Sequence, residues 1–220
     1  MAGCDCSGQG NVFDERTAED DLRAYLRKGP DRATRDLIEA ISAEGVAEAT
    51  ILDIGGGVGA IQLELLTAGA ASADSVEVSP AYLSAARRAA EQRGLADRIL
   101  QRQGDFVALA PTVPPADIVT LVRVVCCYSV MPALVGRSAD HARRMVGLVY
   151  PRDSWWTRIG ARLVNAWFRL TRDAIRIHVH SERELDRLVR AAGFERRLLR
   201  RRPFWQVALY VRPAAPVPLT

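Results

Sequence analysis

Two patterns of apolar residues take turns along this chain: continuous apolar runs, and apolar residues that recur every three to four positions. This succession predicts strands separated by helices. Runs rich in β-branched residues, typical of buried strands, occupy 50–54, 73–78, 99–103, 118–125 and 146–151. Between them, apolar residues recur every three to four positions, as in helices. Two later runs, 175–180 and 204–211, also read as strands. Strands that alternate with helices predict an α/β domain with a mostly parallel sheet.

The two ends and one insertion divide the chain further. Residues 1–12 and 213–220 are expected to be tails, and 13–212 one domain. Within it, 13–45 reads as two helices, the second beginning near Pro30, and 152–172 reads as a helical insertion after the fifth strand. The run Arg196–Arg202 is expected to be a solvated edge.

Composition narrows the class of protein. A chain of 220 residues, 49% of them hydrophobic, can bury one core. The net charge is +4, but Lys28 is the only lysine beside many arginines, so a nucleic-acid partner is not indicated. The start of the chain has no apolar signal segment, and no apolar run approaches the ~20 residues of a membrane span. We therefore expect a cytoplasmic protein without a disulfide framework.

A glycine-rich turn follows the first strand. Gly55, Gly57 and Gly59 stand at every second position, directly before a helical pattern. Glycine permits positive φ and close approach of a ligand to the backbone, and a helix N-terminus supplies free N–H groups. The spacing Gly55-x-Gly57-x-x-Ala60 also fits a dinucleotide fingerprint. However, Asp53 at the strand end would repel a pyrophosphate and suits a ligand with an ammonium group.

Asp53, Gly55, Gly57 and Gly59 together resemble the first motif of the class I S-adenosylmethionine-dependent methyltransferases. The resemblance implies a Rossmann-like seven-stranded, mostly parallel sheet with S-adenosylmethionine across the strand ends. It further implies that the last two strands close this sheet as an antiparallel hairpin. It also implies that N-terminal helices form a lid, from which Tyr25, Arg27 or Arg32 could meet the cofactor's carboxylate. Two alternatives stay open at this point: a domain that binds S-adenosylmethionine without methyl transfer, and a NAD(P)-dependent oxidoreductase.

Two more acidic residues follow the second and third strands. Glu77 stands 20 positions after Gly57, where a carboxylate of a doubly wound sheet meets ribose hydroxyls. For Asp105 the resemblance implies a contact with the adenine amino group, and for Phe106 a position against the ring. A plain helix N-cap is the structural alternative for Asp105. We also assign Val78 and Gly104 to the cofactor site.

The fourth strand and the segment near 180 supply the remaining candidates. Arg123 interrupts an apolar strand, so we expect it to pair with an acid of the cofactor site. We assign His180 as a general base and Tyr128 as a pocket wall or second hydrogen-bonding group; a satisfied structural histidine is an equal alternative. The final third is similar to magnesium-protoporphyrin O-methyltransferases, where an Arg, an Ala-Ile pair and a His occur in this order.

The cysteines and the insertion complete the predictions. Neither Cys4-x-Cys6 nor the Cys126–Cys127 pair is expected to bind a metal. The insertion carries a Trp- and Arg-rich amphipathic helix, for which we rank covering the substrate pocket first, core packing second and membrane contact third. The expected acceptor is a small molecule with an apolar or aromatic body, methylated on oxygen. The sequence does not contain the Asn/Asp-Pro-Pro-Tyr motif of enzymes that methylate amide or adenine nitrogens, which argues against DNA adenine methylation.

Overall fold

The computed structural model describes residues 13–171 and 176–213, so the predicted tail 1–12 and most of the tail 213–220 lie outside it. Seven strands form one sheet in the order β3-β2-β1-β4-β5-β7-β6. They are β1 Thr50–Ile54, β2 Ser72–Glu77, β3 Ile99–Gln103, β4 Ala116–Val122, β5 Ala142–Pro151, β6 Glu195–Arg201 and β7 Trp205–Val211. The pairs among β1 to β5 are parallel, and β7 pairs antiparallel with both β5 and β6. The predicted Rossmann-like sheet with its closing hairpin is confirmed.

Helices cover both faces of this sheet. They are α1 Glu15–Lys28, α2 Arg32–Ala43, α3 Ala60–Thr67, α4 Pro80–Gln92, α5 Phe106–Leu109, α6 Met131–His141, α7 Trp155–Leu170 and α8 Glu182–Ala191. Because strand side chains alternate, Ile51 joins the core on one face and Leu52 the core on the other. Among the described residues, no helix is both long and apolar enough to cross a lipid bilayer.

The two N-terminal helices are capped by aspartates and pack on different elements. Asp14 accepts from Thr17 N at the start of α1, and Leu22 and Tyr25 of that helix pack against α4. Asp31 accepts from Ala33 N at the start of α2. The second helix therefore begins after Asp31, and the predicted start at Pro30 is wrong by two residues.

The sixth strand is not where the sequence pattern placed it. Residues 176–180 form no strand; there the Ile177 backbone hydrogen-bonds the amide side chain of Asn165, and His178 N donates to Cys126 O. The arginine-rich run supplies β6 instead. An edge strand can carry arginines because its outer face stays solvated, and Arg201 there pairs with Glu182.

Helix α7 contributes little to the core. Thr157 is its one buried residue. Trp155, Leu163, Trp167 and Leu170 are all exposed, so the core-packing alternative for this helix is wrong.

Candidate active site

A cavity of about 650 Å³ lies at the carboxyl ends of the parallel strands. Its walls come from the glycine loop after β1, the ends of β2 and β3, the segment after β4, and helices α1 and α2. Nine of the twelve predicted site residues line it: Gly55, Gly57, Glu77, Val78, Gly104, Asp105, Phe106, Arg123 and Tyr128. Asp53, Gly59 and His180 do not.

The glycine loop needs its glycines. Gly55, Gly57 and Gly59 have φ values of 65°, 57° and 77°. A Cβ on Gly55 would lie 2.6 Å from Cγ2 of Val124, far inside van der Waals contact. Gly59 is the residue before the first turn of α3 and has left-handed backbone. The loop therefore brings bare backbone and the free N–H groups of α3 to the cavity edge.

Asp53 lies beneath the loop and not in the cavity. Its side chain is fully buried; Oδ1 accepts from Thr120 Oγ1 at 2.7 Å, and Oδ2 has no hydrogen-bond partner among the described residues. A Cβ on Gly56 would come within 2.2 Å of that Oδ2, so the carboxylate fills the space under this glycine. Burial raises the pKa of Asp53 to about 7, and the nearby Glu77 carboxylate adds to the effect. The strand therefore buries Asp53 under the loop, and its assignment to the cofactor site stays a prediction.

Glu77 is held at the cavity wall by backbone donors. Its Oε2 accepts from Gly57 N at 3.2 Å, and its Oε1 from Ser79 N at 3.0 Å. These bonds tie the end of β2 to the glycine loop. Burial raises the pKa of the Glu77 carboxyl, while the backbone N–H groups oppose this rise. Each oxygen keeps a further lone pair for a hydroxyl donor in the cavity.

Asp105 has both of the roles considered from the sequence. It caps α5 by accepting from Val107 N at 3.0 Å, and it lines the cavity. Tyr128 OH donates to its carboxylate at 3.0 Å. Phe106 is buried beside it, and a Cβ on Gly104 would press on the Leu109 side chain at 2.8 Å. This corner therefore joins an anchored carboxylate to an apolar wall.

The partner of Arg123 was missed by the sequence analysis. Arg123 NH2 lies 2.8 Å from Asp31 Oδ1, so the segment after β4 is joined to the start of α2 across the cavity. The Arg123 guanidinium also lies 4.8 Å from the Trp205 ring centroid. Arg123 has a positive φ of 62°, a strained backbone conformation for an arginine, and it lies at the cavity wall. Lys28, Arg32 and Arg35 line the same side, whereas Arg27 does not.

Comparison with known protein families is decisive at this point. Residues 23–198 match the methyltransferase domain family. The chain belongs to this family. The predicted enzyme class, a S-adenosylmethionine-dependent methyltransferase, and its predicted cofactor are thereby confirmed, and the oxidoreductase alternative loses its support. No curated protein matches the sequence of this methyltransferase significantly.

Solved structures share the fold of this methyltransferase. Magnesium protoporphyrin IX methyltransferase from Synechocystis PCC 6803, solved with bound S-adenosylmethionine, has a TM-score of 0.68 and 17% identity, with 93% of each chain covered. An O-methyltransferase family protein from Burkholderia thailandensis has a TM-score of 0.69 and 19% identity, covering 94% of this chain and 63% of that one. The [4+2]-cyclase SpnF has a TM-score of 0.66 and 14% identity, with 98% of each chain covered. At these identities the likeness shows the fold alone.

The cavity of the methyltransferase fits an adenosyl cofactor by its own donor set. Its volume is typical of small-molecule sites. A bare backbone loop, the Glu77 carboxylate and the apolar wall at Phe106 stand side by side, as a ligand with a ribose and an aromatic base requires. Among the described residues the buried Oδ2 of Asp53 has no hydrogen-bond partner, and a cationic ligand above the loop would favour the charged form of this carboxyl.

The predicted general base is not at the cavity. His180 Nε2 lies 3.1 Å from Val125 O and 3.0 Å from Tyr128 O, so this nitrogen carries a proton and donates to both carbonyls. Burial lowers the pKa of His180, which keeps the ring neutral. His180 thus fixes the segment that carries Tyr128, as the structural alternative proposed. Tyr128 stays protonated, because burial and the Asp105 charge raise the pKa of its hydroxyl.

The two adjacent cysteines lie at the same segment. Cys126 is buried, Cys127 lines the cavity, and their sulfur atoms are 3.8 Å apart. Within 13–171 and 176–213, no group of three or more metal-ligating side chains occurs. Cys4 and Cys6 lie outside the described residues.

Proposed function

We propose that this methyltransferase transfers the methyl group of S-adenosylmethionine to an oxygen of a small molecule with an apolar or aromatic body. The observation that carries the proposal is a single cavity that is lined by two kinds of residue. The carboxylates Glu77 and Asp105 line it at the ends of β2 and β3, and Val124, Cys127 and Tyr128 line it at the segment after β4. The name of the Burkholderia relative supports oxygen as the acceptor atom.

The glycine loop and the ends of β2 and β3 would hold the cofactor. Glu77 would accept hydrogen bonds from the ribose hydroxyls, and Asp105 from the adenine amino group. Asp105 already accepts from Val107 and Tyr128, but a carboxylate has about four acceptor sites. Val78 and Phe106 would flank the base, and the loop at Gly55 and Gly57 would meet the amino-acid part.

The basic side of the cavity would hold the cofactor's carboxylate. Arg32 and Arg35 at the start of α2 line this side, as does Lys28 at the end of α1. Arg123 is also a predicted cofactor residue, and its ion pair with Asp31 brings α2 to the site. We propose that Arg123 acts mainly by positioning this helical lid.

The bound cofactor supplies a methyl group on a positively charged sulfur, which an acceptor attacks in line. The protein then has to align the acceptor and exclude water. Neither predicted catalytic residue is placed as a base at neutral pH, since Tyr128 is held protonated and His180 is engaged by two carbonyls. We infer an acceptor whose hydroxyl is itself acidic, such as a phenol, because it gives up its proton without a strong base.

The test is turnover with S-adenosylmethionine labelled with ¹³C in its methyl group. Purified protein is mixed with a panel of phenols, matched anilines and matched thiophenols, and the product methyl group is identified by NMR. We expect methoxy signals from the phenols together with S-adenosylhomocysteine. Signals only from N-methyl or S-methyl products would overturn oxygen as the acceptor atom. Cofactor binding without turnover of any acceptor class would favour the binding-domain alternative.

The cytoplasmic location stays a prediction.

A further inference from the structure

Helix α7 presents an apolar stripe that faces away from the protein. Trp155, Ile159, Leu163, Trp167 and Leu170 follow one another at intervals of three or four residues, so they share one helix face. Their exposure is high: 74% for Trp155, 64% for Trp167 and 80% for Leu170. We call these five residues the α7 stripe. Large apolar side chains exposed together in this way mark an interaction surface.

The opposite face of α7 attaches the helix to the protein. Thr157 is buried, and Asn165 exchanges two hydrogen bonds with the Ile177 backbone, at 2.8 and 2.7 Å. These residues lie about half a turn from the stripe on the helical wheel. The helix is thus fixed on one side while the stripe is presented outward. None of its residues lines the cavity, so the structure does not support the predicted pocket cover either.

The charge beside the stripe has one sign. The segment 154–171 contains no acidic residue, and its arginines, 158, 162 and 169, lie together along one edge of the stripe. Arg158 pairs with Asp153. Arg162 and Arg169 make no ion pair with any residue that the structure describes, so two cations remain for an anionic partner beside the stripe.

A second apolar element adjoins this helix. Phe204, in the turn between β6 and β7, is 64% exposed and makes an edge contact with Trp156 at a centroid distance of 5.3 Å. Tryptophan prefers the boundary between lipid headgroups and hydrocarbon, with arginine reaching the phosphates. Apolar side chains, two tryptophans and unpaired arginines on one helix are the combination that an interfacial helix uses.

We propose that α7 is a peripheral membrane anchor: the α7 stripe inserts into the headgroup boundary of a bilayer, and Arg162 and Arg169 contact anionic lipid phosphates. Charge favours this occupant over a second copy of the chain. An antiparallel pairing of two α7 stripes would add the arginines of both copies to one interface, with no acidic residue on either helix to neutralise them. An anionic membrane neutralises them directly.

The anchor is linked by hydrogen bonds to the segment after β4. Asn165 of α7 holds Ile177; the next residue, His178, donates to Cys126 O; and His180 donates to the Tyr128 carbonyl. Cys127 and Tyr128 line the cavity. Membrane binding would therefore act on the part of the site assigned to the acceptor. The membrane proposal does not depend on the proposed acceptor, since it rests on α7 alone.

The test is co-sedimentation of the full chain, without cofactor, with phosphatidylcholine vesicles that contain or lack phosphatidylglycerol. We expect binding to the anionic vesicles that weakens as salt is raised, and a blue shift of tryptophan fluorescence on binding. The variant Leu163→Gln with Trp167→Gln should bind at least about tenfold more weakly, because it removes two inserted apolar side chains. Arg162→Glu with Arg169→Glu should lose about as much, and only on anionic vesicles.

The matched control is Leu26→Gln with Leu100→Gln, which changes two exposed leucines on other elements. Circular dichroism and thermal midpoints confirm that each variant is folded. Equal binding by the stripe and control variants would overturn the proposal, as would failure of the folded wild type to bind anionic vesicles at low salt. Sedimentation equilibrium tests whether a second copy of the chain occupies the stripe instead. A wild-type dimer that is dissociated by the stripe variant and not by the control variant would assign the stripe to a second copy and overturn the proposal.

Discussion

Replacement of Asp53 by asparagine tests the most unusual electrostatic feature of the site. The Asp53 carboxyl is fully buried, with one hydrogen-bond donor, Thr120, and one oxygen without a partner among the described residues. Burial raises its pKa from the ordinary 3.8 to about 7. Between these two values the folded chain holds a proton that the unfolded chain has released. The free energy of unfolding must therefore fall as pH rises from about 4 to about 7, and change little from this group above that.

The size of the effect follows from the two pKa values. At about 1.4 kcal/mol per pH unit, the interval from 3.8 to about 7 corresponds to a loss of about 4 kcal/mol from this one group. Asparagine keeps the side-chain shape and an oxygen acceptor for Thr120, and it does not titrate. Between pH 5 and 7, the wild type should lose about 2 kcal/mol of stability relative to Asp53→Asn, because the folded carboxyl is still half protonated at pH 7.

The assay is urea unfolding of both proteins, without cofactor, at pH 5, 6, 7 and 8, followed by circular dichroism. Asp36→Asn is a control with the opposite sign. Burial alone would raise the pKa of Asp36, but its bonds to Arg202 and Arg200 outweigh this and lower it. The wild type's advantage over Asp36→Asn should therefore be constant from pH 5 to 8 and shrink only as pH falls below the ordinary 3.8. A stability difference between wild type and Asp53→Asn that is constant across pH would refute the reasoning.

Three further changes test other parts of the site. Glu77→Gln should weaken S-adenosylhomocysteine binding in a calorimeter at least about tenfold, since it removes a charged acceptor and sets an amide donor against a backbone N–H; unchanged affinity would remove Glu77 from the ribose site. Gly55→Ala should lower the thermal midpoint and abolish cofactor binding, because its Cβ would meet the Val124 side chain at 2.6 Å; a stable, binding variant would contradict the loop geometry. His180→Gln should keep turnover within about tenfold and leave its pH profile unchanged, because the amide can still donate to the carbonyls; a loss of about 10²-fold or more, as expected for a general base, would restore His180 to that role.

Much of the fold could be predicted because local patterns determine it. Apolar runs define the parallel strands, and side-chain caps such as Asp14 and Ser79 mark helix starts. The sixth strand could not be predicted this way. Its arginines predict a solvated edge but not a strand, and it is a strand because β7 offers a free edge to pair with. The pattern at 175–180 was misleading for the same reason, since strand formation needs a neighbour as well as alternation.

The site residues that local spacing reveals could be predicted, and those that depend on long-range contacts could not. Gly55, Glu77 and Asp105 follow strand ends at characteristic spacings, so the sequence was sufficient to bring them to one cavity. The pair between Arg123 and Asp31 joins residues from distant parts of the chain, and no local spacing reveals it.

His180 was misread because its partners are backbone carbonyls, which the sequence does not display. Helix α7 was misjudged because amphipathic spacing shows that one face is apolar without showing what it faces.

The measurement that tests the account most directly is a crystal structure of the chain with S-adenosylhomocysteine. The account predicts the ribose at Glu77, the adenine between Val78 and Phe106 with its amino group at Asp105, and the sulfur toward Cys127 of the segment after β4. Density for the nucleoside outside this cavity, or inside it without contact to Glu77 and Asp105, would contradict the assignment of the site.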